Sequence, residues 1–67
     1  MNATLITQAS RKLGCRELLA EAVVLAVIDK SDAGETVPAI VDWLDYTLGA
    51  TNPAANPEFV EWVITNK

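Results

Sequence analysis

The chain has no histidine and a single cysteine, Cys15. A disulfide within the chain is therefore impossible, and the usual zinc ligand sets cannot be assembled from one copy. Glycine is scarce: Gly14, Gly34 and Gly49 stand alone as helix stops, and none opens a phosphate-cradling loop. Long apolar runs are missing too. The longest extends from Ala22 to Ile28, far short of the roughly 20 residues that cross a bilayer. The first residues do not read as a basic segment followed by an apolar one. The expectations are a cytoplasmic protein with no membrane association, no cofactor and no metal. No residue set completes a catalytic constellation, so an enzyme is the least favoured class.

Acidic residues are absent from positions 1–16, which hold Arg11, Lys12 and Arg16, and basic ones from positions 31–66, which hold Asp32, Glu35, Asp42, Asp45, Glu58 and Glu61. The net charge is −4. Affinity for nucleic acid comes mostly from neutralising phosphates, so the acidic half makes nucleic acid a poor ligand for the whole chain. A basic protein surface is the more natural partner.

What the chain does have is apolar residues, 51% of the total, with a mean hydropathy of +0.22. Disordered chains are poor in aliphatics and rich in charge, so this one is expected to fold. Its 67 residues make one domain, and a chain of this size buries only about 60% of its unfolded surface. Small scaffolds of this kind need a staple, and association is the one left.

Periodicity predicts an all-α domain, a small bundle of about four short helices. The first is expected from about Leu5 to Leu13, with Asn2 or Thr4 as N-cap and Gly14 just past its end. Leu5, Ile6, Ala9 and Leu13 share one face of it. The second helix, Arg16 to Lys30, follows at once, and its apolar residues point in every direction. A helix apolar all round belongs inside a large core or a membrane. Neither is at hand, so the expectation is a homo-oligomer, a two-fold dimer being the commonest closed form, with Leu18, Leu19, Val23, Val24, Val27 and Ile28 buried between subunits. The run Val23 to Ile28 is also β-prone, and a short buried strand is the structural alternative.

Lys30 to Glu35 reads as a loop from its turn residues. Thr36 then caps a third helix with Val37 and Pro38 in its first turn, an apolar stripe of Val37, Ile40, Val41, Leu44 and Leu48, and Gly49 as its stop. A second loop, Ala50 to Ala55, has room for one helical turn. Asn56 caps and Pro57 opens a fourth helix reaching about Thr65, with Phe59, Val60, Trp62 and Val63 on one side. The heptapeptide Pro38–Leu44 matches Pro57–Val63 without gaps at an offset of 19. A duplicated unit and two similar amphipathic helices both account for it.

Trp43 lies off the apolar stripe of its helix and is expected on the outer side with Tyr46, as a partner-binding anchor. The alternative is that it folds back onto the fourth helix or under the long loop. Trp62 lies within its stripe and is expected in the core. Asp42 with Asp45, and Glu58 with Glu61, are i, i+3 carboxylate pairs on helix surfaces. Solvation explains them, and they also suit a basic partner, including imitation of a row of phosphates. Arg11, Lys12 and Arg16 bracket a glycine corner that outwardly suggests helix-turn-helix DNA binding. After Arg16, however, the second helix offers Glu17, Glu21 and aliphatics, not side chains that read base edges. Cys15 beside Arg16 invites a reactive thiol, but no second group completes a nucleophilic set, and a small buried hydrophobe is the expectation.

The functional expectation is a non-enzymatic protein–protein interaction module acting as a homo-oligomer. A small acidic adaptor, regulator or inhibitor fits, of the size found among phage and mobile-element proteins. The alternatives are a DNA-binding transcriptional regulator using the basic corner of the first two helices, and a structural subunit of a larger assembly.

Overall fold

In the computed structural model, which describes residues 3–67, the helices are α1 (Ala3–Leu13), α2 (Glu17–Asp32), α3 (Val37–Leu48) and α4 (Pro57–Asn66). No strand occurs among the described residues, so the all-α reading holds and the strand alternative for Val23–Ile28 does not. Local chemistry explains most of the boundaries. The Thr36 hydroxyl accepts from the Ala39 N–H at 3.3 Å, and the Asn56 side chain accepts from the Glu58 N–H at 2.7 Å. Each thus satisfies one of the donors left free at a helix start. Pro38 and Pro57 occupy the first turns of α3 and α4, where a missing N–H costs no helical bond.

Two boundaries differ from expectation. Thr4 lies inside α1 and not before its first turn, while Asn2, the other candidate, lies outside the described residues. The second helix does not stop at Lys30. It runs on through Ser31 and Asp32 and ends in a paired reverse hydrogen bond: the Glu35 N–H donates to the Lys30 carbonyl and the Gly34 N–H to the Ser31 carbonyl, both at 3.0 Å. Gly34 takes φ +90° to make this closure, the left-handed conformation that glycine adopts most readily. At the end of α1 the outer of these two bonds recurs: Gly14 takes φ +63° and the Cys15 N–H reaches the Ser10 carbonyl at 3.2 Å. Ser10 also donates its hydroxyl to the Cys15 carbonyl, which braces the corner between α1 and α2.

α2 is the central element and packs against α1, α3 and α4. Its buried residues are Ala20, Val23, Val24 and Val27, which at 100° per residue occupy one arc of about 100°. Opposite them stand Leu5, Ile6 and Ala9 of α1, Ile40 and Leu44 of α3, Phe59, Val60 and Val63 of α4, and Ala54 from the loop before α4. No polar side chain is buried among the described residues. The Cα radius of gyration is 10.6 Å, close to the roughly 11 Å expected of a well-packed chain of this length.

This core corrects part of the expected subunit interface. Val23, Val24 and Val27 are buried by their own chain, and Ile28 is half-buried against the same core. The reason is the uneven layout of an evenly greasy helix: three neighbouring helices close over one flank of α2 and leave the opposite flank uncovered.

Candidate protein-interaction surface

The uncovered flank of α2 is apolar. Leu18 is 79% exposed, Leu19 49% and Leu25 42%, with Ala22 exposed between them. Leu18, Ala22, Leu25 and Asp29 follow one another at steps of four, three and four residues, the spacing that keeps side chains along one seam of a helix. Beside that seam lies an apolar groove of about 140 Å³ walled by Leu19, Ala22, Ala26, Trp43 and Leu48. A second apolar depression shares Leu19 and Ala22 with it and is lined also by Cys15, Arg16 and Leu18. Of the six residues expected to associate, Leu18 and Leu19 are the two that reach this surface fully. Ala22 and Leu25 belong to it and were not among the six. The signal that could have found them is the four-three-four spacing, hidden by the valines that share the same stretch.

Trp43 does not stand on the outer side with Tyr46. Its ring is half-buried along the groove, turned toward α2, with the Lys30 ammonium 4.4 Å from its centroid. Covering the ring in this way satisfies a cation and an aromatic face together. The outward position does not describe it; the ring is turned in against the core. Tyr46 is 91% exposed and stands with Asp42 and Asp45 on the solvent face of α3, while Glu58 and Glu61 are exposed on α4. Among the described residues no three carboxylate or thiol groups gather as a metal site.

Trp62, expected in the core, is half-buried at its edge. It is tilted against Phe59 at 5.9 Å between centroids, and the Lys12 ammonium lies 4.8 Å from its ring. The matched heptapeptides thus place their residues alike: a first-turn proline, a buried third residue (Ile40, Phe59), a half-buried tryptophan under a lysine, and a buried seventh (Leu44, Val63). Lys12 is consequently drawn to Trp62, so only Arg11 and Arg16 of the basic corner are left without an aromatic partner among the described contacts. Cys15 is half-buried and packs against the core with Leu13, Leu19 and Leu48 around it.

Three of the charged residues along α2 are engaged within the chain, while Glu21 is exposed on its surface. Glu17 accepts from the Thr7 hydroxyl at 3.3 Å, on the α1 side. Asp32 is bonded to the Lys67 ammonium at 2.6 Å, and Lys30 reaches Glu35 at 3.5 Å as well as Trp43. Arg16 borders the apolar strip at its amino-terminal end and Asp29 continues the seam at its carboxy-terminal end, and neither takes part in an ion pair among those described. No helix among the described residues is long and apolar enough to cross a membrane. No protein-family model, curated protein or solved structure matches the chain.

Proposed function

We propose that the chain is a non-enzymatic protein–protein interaction module that works as a homo-oligomer, with the outward flank of α2 as its self-association surface. The observation that carries this is the exposure of Leu18 at 79% within one strip with Leu19, Ala22 and Leu25. The core behind that strip is already closed and free of polar side chains, so the strip is not needed to hold the fold. Contiguous exposed apolar surface of this kind marks interaction sites on soluble proteins, whereas single exposed leucines are ordinary. The outer face of α3 and α4, with Tyr46 and the carboxylates Asp42, Asp45, Glu58 and Glu61, is left free for a basic protein partner.

Substitution Leu18→Asp tests the assignment. It adds a charge where a second copy would cover it, at a site the fold does not bury. Light scattering on the eluting peak should give a mass near one chain for the variant and a multiple of it for the wild type, with equal helical circular dichroism. Equal masses for the two proteins would refute the surface.

A further inference from the structure

We infer that the α2 strip takes a second copy of this chain in antiparallel register, with Ala22 on the two-fold axis and Arg16 set against the partner's Asp29. The inference rests on the self-association proposed above and names its geometry. A two-fold interface must be self-complementary, so that residue i meets j and j meets i. The strip meets this condition about Ala22. At about 1.5 Å of rise per residue, Leu18 lies about 6 Å before Ala22 and Leu25 about 5 Å after it. Reversal of one copy therefore brings each Leu18 to the partner's Leu25. The smallest residue of the seam falls at the crossing, where two helix axes come closest, and the leucines fill the space on either side.

Charge selects the same direction. Along the axis Arg16 lies about 9 Å before Ala22 and Asp29 about 10 Å after it. Arg16 is the N-cap residue, about 120° around from Ala22 on the Leu19 side. What carries it to the interface is its side chain, which lines the same apolar surface as Leu18 and Ala22, so the antiparallel register brings that guanidinium to the end where the partner's Asp29 lies. A parallel register would set Arg16 against the partner's Arg16 and Asp29 against the partner's Asp29. The other charges nearest the ends of α2 are engaged within the chain: Glu17 with Thr7, Asp32 with Lys67, and Lys30 with Glu35 and Trp43. Glu21 lies about 100° around the helix from Ala22, toward the rim away from Leu19, Ala26 and the groove.

Cross-linking reads the register. In a Cys15→Ser background, which leaves no native thiol, Ala22→Cys should form a disulfide-linked dimer under mild oxidation, because two residues on a two-fold axis meet the distance a disulfide needs. Leu18→Cys alone should not, whereas Leu18→Cys combined with Leu25→Cys should. Rapid cross-linking of Leu18→Cys with none at Ala22→Cys would overturn the antiparallel register while leaving self-association intact. A one-chain mass for the unoxidised variants and the wild type by light scattering would overturn both. Charge reversal gives an independent readout: Arg16→Glu and Asp29→Arg should each weaken the dimer about three- to tenfold, two surface pairs being lost per dimer, and the double variant should recover most of the loss. Failure of the double variant to recover would contradict the pairing.

Discussion

The ammonium of Lys30 lies 4.4 Å from the centre of the Trp43 ring and 3.5 Å from a carboxylate oxygen of Glu35. One side chain near the end of α2 thereby ties together that helix, the connection that follows it and α3. The contact also explains why Trp43 lines the groove: its ring turns toward the helix that supplies the cation. Lys30→Met keeps most of the stem and removes the charge. The expected loss is about 0.5–1 kcal/mol, read as a lower urea midpoint, together with a change in tryptophan fluorescence of the folded state. An unchanged midpoint and spectrum would show that the ammonium only rests near the ring.

Gly34 ends α2 at φ +90°, and a Cβ added there would meet nothing within 4 Å. The cost of Gly34→Ala is therefore conformational and not steric, about 1–2 kcal/mol from the left-handed backbone alone. Replacement by Asn, which tolerates that region better, should cost less. Equal stability of the Gly and Ala forms in denaturant titration would mean that the closure between Glu35 and Lys30 does not hold the helix end.

Leu44 and Leu18 separate the core from the outward strip. Leu44 is fully buried between helices, and Leu44→Ala is expected to cost about 2–5 kcal/mol through lost burial and the cavity left behind. That is a large share of the about 3–10 kcal/mol that a domain of this length commands, so the variant should be largely unfolded at moderate temperature. Leu18→Ala, measured at dilution where single chains prevail, should change stability by no more than about 0.5 kcal/mol. A large loss at Leu18 under those conditions would make it part of the fold.

Features set by neighbouring residues were legible from the sequence. Thr36 and Asn56 cap the helices they precede, because a cap depends on a side chain and an N–H two or three positions away. Gly14, Gly34 and Gly49 all take positive φ, but the exact end of α2 was not legible: Ser31 and Asp32 are turn formers that here simply complete the helix before Gly34. The buried flank of α2 was hidden for a different reason. With apolar residues on every side there is no polar contrast to say which flank faces inward, and only the packing of α1, α3 and α4 chooses Ala20, Val23, Val24 and Val27. The direction of Trp43 depends in the same way on where α2 lies beside α3. Of the candidate interface, Leu18 and Leu19 could be named from the sequence, while Ala22, Leu25 and the charges Arg16 and Asp29 emerge only once the inner valines are removed from the set.

Closure of the uncovered flank of α2 by a second copy can be read from sedimentation equilibrium of the wild-type chain over a wide range of concentrations. The mass should rise above the single-chain value of 7.2 kDa toward twice that value as concentration increases. A mass that stays at one chain up to the highest soluble concentration would contradict it.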